Sequence, residues 1–225
     1  MKDYNQVLLA DAYGGYNGVV VSNEMTRAGC WAHTRRKFID AEKTAPEIAR
    51  EAVELIRRLY AVEQEAQEVS VAERLALRQA RSVPVLAQLR EKFLTWKEQL
   101  LPKHPMAEAV NYALGQWAEL NVFSTDGAVP IDNNVSEREM KRVVLNRKNS
   151  LFVGNERGGR TAAILSSLAS TCRRHDLDPQ LYFTQLLMNL PQAKMSQLAK
   201  WLPDQWKLRH AQRPASLQTT ILPTP

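Results

Sequence analysis

The chain opens on a short unbroken apolar run, Val7, Leu8, Leu9 and Ala10, which ends at Asp11. Residues 12–18 follow, rich in glycine and tyrosine. A short apolar run bounded by turn signals predicts a buried strand, and residues 12–18 read as a loop. Residues 28–33 form a second apolar run and predict a second short strand, with a helix opening at Thr34. From residue 43 the apolar positions change to helical spacing: Leu55, Leu59, Val62 and Ala66, then Leu86, Leu89, Phe93 and Trp96. No glycine lies between Gly29 and Gly115, and Pro46, Pro84, Pro102 and Pro105 punctuate the stretch. This pattern predicts several helices over residues 43–126, with the Leu and Trp stripes as core.

Three later stripes also have helical spacing. Glu137, Met140 and Val144 share one face; Thr161, Leu165, Leu168 and Cys172 share another. Asp178-Pro179 starts a further helix that offers Leu181, Leu186, Leu187 and Leu190 for burial. Beyond about residue 203 the chain turns polar and proline-rich, and residues 214–225 read as a disordered tail. Asp126-Gly127, in the connector 123–130, is a turn signal.

Charge sharpens this picture in one place. The formal net charge is +6 over 225 residues, and residues 133–175 carry nine Lys/Arg against three acids, an excess equal to that of the whole chain. Residues 43–125 are neutral, with eleven Glu, no Asp and eleven Lys/Arg. A concentrated basic zone suits a polyanion such as nucleic acid, although a solvated helix face has the same composition. No apolar run approaches the roughly 18–20 residues of a membrane span. No basic-then-apolar export pattern opens the chain, so Cys30 and Cys172 are expected to be reduced thiols in a cytoplasmic protein.

Four groups of residues could carry chemistry. Asp11 follows directly on a strand, where α/β proteins place catalytic carboxylates, though an Asx-turn would use it equally well. Asp3 has no comparable setting. Cys30 and His33 have zinc-like spacing without a second pair, which favours a packed thiol and a hydrogen-bonded imidazole. Asn134 and Glu137 fit a capping box. Glu137 also falls on the apolar side of its helix, where it needs a backbone amide, a base or a metal ion as partner. Arg138, Lys141 and Arg142 spread to the flanks. Residues 154–160 form a glycine-rich basic loop leading to a helix from Thr161, able to hold an anion but lacking a Walker ending.

Five stretches together resemble transposases of the insertion sequence 66 family. They are LADAYGGY (9–16), GCWAHTRRKF (29–38), IDNNVSER (131–138), NRKNSLFVG (146–154) and RGGRTAAIL (157–165). The resemblance covers about residues 7–191. It implies an α/β fold: a partial ribonuclease-H-like mixed sheet with an all-α insertion and a mainly helical C-terminal element. The implied segments are 1–42 for the first part of the core and 43–126 for the insertion. Residues 127–150 would be the helix with the third acid, 151–202 the C-terminal element and 203–225 the tail.

The resemblance further implies an Asp, Asp, Glu triad holding two Mg²⁺ ions, or Mn²⁺, for cleavage and strand transfer of DNA. Asp11 matches the second acid and Glu137 the third. Cys30, His33, Asp132, Asn133 and Asn134 are expected to support the site. Arg138, Arg142, Arg147, Lys148, Arg157 and Arg160 are expected to meet DNA phosphates. The family places its first acid several tens of residues upstream of the second. The chain therefore looks like the C-terminal part of a transposase, without the first acid and the N-terminal DNA-binding region. It would be inactive and without tightly bound metal on its own, with an exposed sheet edge that pairs with the missing part or with itself. The alternative is a truncated, catalytically dead DNA-binding or assembly remnant. Expected partners are the element ends and target DNA, with no membrane, in a cytoplasmic, nucleoid-associated setting.

Overall fold

β1 (Val7–Leu9) and β2 (Thr26–Ala28) lie parallel, with Val7 opposite Thr26, Leu8 opposite Arg27 and Leu9 opposite Ala28. Parallel neighbours need a crossover, and α1 (Gly15–Ser22) lies within it. The computed structural model describes residues 5–150 and 152–211, and among these the sheet has two strands. Two expectations are corrected here. The sheet is parallel rather than mixed, and residues 15–18 begin a helix instead of continuing a loop. Asp3 lies outside the described residues.

The second strand also lies earlier than the apolar run 28–33 suggested. It closes at Ala28, and α2 (Trp31–Asp40) has begun by Trp31, so His33 is helical. Trp31, Thr34 and Phe38 are buried at spacings of three and four, the helical period. Gly29 makes the corner: its amide donates to the Glu119 carbonyl at 2.8 Å, and an added Cβ would lie 3.0 Å from the Leu120 nitrogen. Glycine permits that close backbone approach.

The chain divides into two compact units, Met1–Glu137 and Arg138–Pro225, with the boundary inside α8 (Asn134–Ser150). Helices α3 (Pro46–Glu65), α4 (Val71–Leu77), α5 (Val83–Gln99), α6 (Pro105–Gly115) and α7 (Trp117–Asn121) complete the first unit. The stripes on α3 and α5 are buried as their spacing predicts, joined by Met106 and Val110 of α6. They enclose α2: Phe38 stacks on Phe93 at 5.2 Å, and Trp31 meets Trp117 edge-on at 6.1 Å. The Trp31 indole donates to the Leu120 carbonyl at 2.8 Å, so the largest buried side chain also satisfies its polar atom.

A buried arginine organises the return from this bundle to α8. Arg78 begins a π-helical turn, Arg78–Ser82, just ahead of Pro84, which cannot donate to the carbonyl four residues back. Its guanidinium contacts Glu63 at 2.8 and 2.5 Å. It also donates to the carbonyls of Phe123, Asp126 and Val129 at 2.7, 2.7 and 2.9 Å. Those carbonyls belong to the connector, where Asp126 Oδ1 accepts from the Ala128 amide at 2.7 Å, the turn expected of it. Removing one partner of a buried, hydrogen-bonded pair costs about 3–5 kcal/mol. The connector's path therefore depends on a side chain in the helical segment.

The second unit is described by itself. α9 (Glu156–Arg174), α10 (Pro179–Asn189) and α11 (Pro203–Ala211) gather around Cys172, Tyr182, Leu186 and Trp206. The Tyr182 hydroxyl donates to the Trp201 carbonyl at 2.7 Å, and its ring meets Trp206 edge-on at 5.7 Å. The Ser170 hydroxyl donates to Glu139 of α8, and this hydrogen bond is the main reason the Glu139 carboxyl is held below its usual range.

Three more expectations change in this unit. α9 begins at Glu156 and not at Thr161, because Asn155 caps it by accepting from the Gly158 amide at 2.9 Å. Gly158 and Gly159 are thus helical; a Cβ at Gly158 would fall 2.2 Å from the Val153 carbonyl. Residues 203–211, expected to belong to the tail, form a helix whose Trp206 is buried, and residues 212–225 lie outside the described residues. Leu187 and Leu190, expected to be available for burial, are exposed. Among the described residues no helix is long and apolar enough to cross a membrane.

Candidate functional site

Asp11 stands just past β1, after Ala10 has extended the strand ladder by donating to the Ala28 carbonyl at 3.1 Å. Its Oδ1 accepts from the Tyr13 amide at 3.2 Å, so it makes an Asx-type turn as well as ending a strand. Arg27 on β2 fixes this corner, donating to the Asp11 carbonyl, to Asn17 at 2.9 Å and to Gln116 at 3.3 Å. Tyr112 lies close enough to feel Asp11. Its phenol is raised above the usual range, chiefly by burial, and the Asp11 charge adds to the shift.

Glu137 lies in the first turn of α8 and faces His33 in the first turn of α2. The imidazole Nε2 stands 3.1 Å from Glu137 Oε1, with the His33 side chain 19 % exposed and that of Glu137 42 %. With a proton on Nε2 the imidazole donates whether it is neutral or charged, so the carboxylate keeps its partner in either state. His33 Nδ1 is buried and has no hydrogen-bond partner among the described residues. The pair joins two helix starts that are about a hundred residues apart in sequence.

The expected capping box does not form. Glu137 turns to His33 instead of reaching back, and Asn134 is the first helical residue. Asp132 takes the capping role: Oδ1 accepts from the Asn134 amide at 3.1 Å, and Oδ2 accepts from the Asn134 side chain at 2.8 Å. Oδ2 also accepts from the Tyr60 hydroxyl at 2.8 Å. The Tyr60 phenol is pushed well above its usual range, first by burial and then by the Asp132 charge. Asn133 receives the Glu137 amide on its carbonyl at 3.1 Å, while its side-chain oxygen is buried with no partner among the described residues.

Cys30 is a buried free thiol whose pKa is raised mainly by burial. That makes it a packed thiol and a poor nucleophile. The inward stripe expected of α8 is not buried either, since Met140 is 60 % exposed and Val144 49 %. Arg138, Arg142, Arg147 and Lys148 are exposed on α8, and Arg157 and Arg160 on α9. Arg142 pairs with Glu139 at 3.3 Å and Arg160 with Glu156 at 3.6 Å. These cations belong to the second unit.

The residues present can be tested against a two-metal site. Asp11 and Glu137 offer oxygen donors of the right hardness for Mg²⁺. Among the described residues, however, no group of three or more His, Cys, Asp or Glu could hold a metal ion. Asp11 is engaged with Tyr13 and Glu137 with His33. As arranged, this donor set does not fit two divalent ions.

Comparison with known proteins decides the family. The transposase IS66 family matches residues 1–161, more than half of the chain. The chain belongs to the IS66 transposase family. Similar curated proteins come from Sinorhizobium fredii (strain NBRC 101917 / NGR234) and are uncharacterized. Protein y4jD is 37 % identical over 216 residues, covering 92 % of this chain and 42 % of the relative. Protein y4hP is 32 % identical, covering 92 % and 41 %, and y4qI is 34 % identical, covering 89 % and 40 %. The IS66 chain therefore spans about two fifths of the length of the curated relatives it matches. No solved structure matches.

The helical segment hid several of the residues that shape this site. Arg78 and Tyr60 gave no signal, because one cation among eleven and one tyrosine on a helix look like ordinary surface and core. Arg27 was equally silent. The pairing of His33 with Glu137 needs tertiary structure to be seen.

Proposed function

We propose that this chain supplies part of a ribonuclease-H-like, DDE-type transposase core that cuts and joins DNA at insertion-element ends. Asp11 and Glu137 are two of its acids. A third acid, and the ligands needed for Mg²⁺ or Mn²⁺, come from another segment or another chain. Residues 43–126 act as a helical insertion that delivers α8, and the cations of α8 and α9 contact DNA phosphates. The observation that carries this reading is the His33–Glu137 pair at 3.1 Å. It holds a carboxylate at the first turn of α8, within a chain whose family is transposase.

Within this chain the residues orient and restrain. Arg27 fixes the corner that carries Asp11, Arg78 fixes the connector, and His33 restrains the Glu137 carboxylate. The test mixes the chain with the remaining portion of a full-length relative and follows cleavage of a plasmid bearing element ends. Magnesium-dependent cutting that Asp11→Ala abolishes is the expected result; equal cutting by that variant removes Asp11 from the mechanism.

A second reading, DNA binding or assembly without chemistry, is favoured by one observation: the described residues gather no three-ligand group. It predicts salt-sensitive DNA binding that is indifferent to magnesium, since phosphate contacts release counterions. Cutting in the mixed assay rejects it.

A further inference from the structure

A hollow of about 450 Å³ opens beside the His33–Glu137 pair, lined by Ala32, Arg35, Arg36, Ile39, Arg57, Tyr60 and Asn134. Arg35 and Arg36 are exposed, and among the described residues no carboxylate lies within ion-pair distance of either. The third, Arg57, is chelated by Glu54 at 2.8 and 2.6 Å. The nearby Asp132 is held by Tyr60 and Asn134 rather than by a cation. The concave surface thus carries three guanidinium groups and no acid in its lining, with Glu54 paired to one of the three.

We propose that this hollow is a phosphate subsite for a DNA strand. It would hold the phosphodiester next to the one presented at Glu137. Guanidinium forks bind phosphate oxygens in pairs, and a concave wall lets more than one of them reach the same group. The position follows from the chain. Ala32 immediately precedes His33, and Asn134 lies three residues, just under one turn, before Glu137, a rise of about 4.5 Å. A strand seated here therefore runs along the helix starts that carry the pair. The ligand is a phosphodiester backbone and not a base, because cations dominate the polar lining. This inference rests on the transposase reading and adds a contact surface separate from the cations of α8 and α9.

The test measures binding of the full chain to a short labelled DNA duplex by anisotropy across a salt series. Each phosphate contact contributes about 0.9 to the slope of log affinity against log salt. Arg35→Ala with Arg36→Ala should make the slope shallower by about 1.8, and Arg35→Lys with Arg36→Lys should restore most of it. Glu54→Gln, which frees Arg57, should move the other way and steepen the slope by up to about 0.9. Circular dichroism checks that the variants fold, and Glu54→Gln keeps the test informative if the double alanine variant does not. Salt-dependent binding that none of these substitutions alters would overturn the subsite and leave the transposase reading standing. A chain that binds no DNA at any salt overturns both.

Discussion

One helix, α8, shows two different treatments of similar sequence. Its first turn is tied down on every side: Asp132 caps it, Tyr60 holds Asp132, and His33 holds Glu137. The turns after it add cations and more aliphatic residues, and Met140, Val143, Val144 and Leu145 are exposed. Helical periodicity is equal in both halves. What differs is what holds each half: the first turn is joined to His33 of α2 and, through Asp132, to Tyr60 of α3, whereas further on Ser170 of α9 bonds Glu139 and leaves the aliphatic side chains open. The lesson is that an amphipathic stripe predicts a face and not its burial.

The largest expected effect lies upstream of the helix. Arg78→Met should cost the first unit about 3–5 kcal/mol, because Glu63 and three carbonyls lose their partner. Urea unfolding followed by tryptophan fluorescence measures it. An effect below about 1 kcal/mol would mean that the connector, and with it the first turn, is held by something else.

Asp132→Ala comes next, at about 1–2 kcal/mol, typical of a lost helix cap. It should also lower the Tyr60 pKa, since the Asp132 charge helps to raise it. Ultraviolet titration of tyrosinate would show the shift. No change in the phenol titration would separate Tyr60 from the helix start.

Alkaline pH compares the two units directly. Tyr60 in the first unit is raised above its usual range, and Tyr182 in the second is pushed up to about 12, chiefly by burial. A phenol whose folded pKa exceeds the unfolded one gives stability that is complete below about pH 10. Above that, the unfolded chain loses protons first, so stability falls until the folded pKa is passed. Both units should therefore weaken above about pH 10, and Tyr60→Phe should flatten this slope in the first unit alone. An unchanged slope in that variant would contradict the burial of Tyr60.

Much of the helical segment was legible in the sequence. Leu55, Leu59, Val62, Leu86, Leu89 and Phe93 repeat at helical spacing and are buried. The corner at residues 28–33 is ambiguous in the sequence because a short apolar run suits a strand or a buried helix start equally. Burial of Trp31, Thr34 and Phe38 at helical spacing resolves it. Gly158-Gly159 resembles a loop in the sequence, whereas the Asn155 cap makes those positions part of α9. Asp11 after a strand and Glu137 on a helical stripe stand out in the pattern, resemblance to the family supplies their expected roles, and their anchoring by Arg27 and His33 depends on residues far apart in the chain.

The smallest stability effects are expected on α8 itself, and there function and stability separate. Glu137→Gln keeps an oxygen for His33 and should change stability by about 0–1 kcal/mol, as for a partly exposed pair. Met140→Gln, one turn further on, should change it by about 0.5 kcal/mol or less. The most direct test is plasmid cleavage by both variants, each mixed with the remaining portion of a full-length relative. Loss of cutting with Glu137→Gln, unchanged DNA binding, and normal cutting with Met140→Gln are the results predicted. Cutting by Glu137→Gln at the unsubstituted rate would contradict the claim that the first turn of α8 carries a catalytic carboxylate.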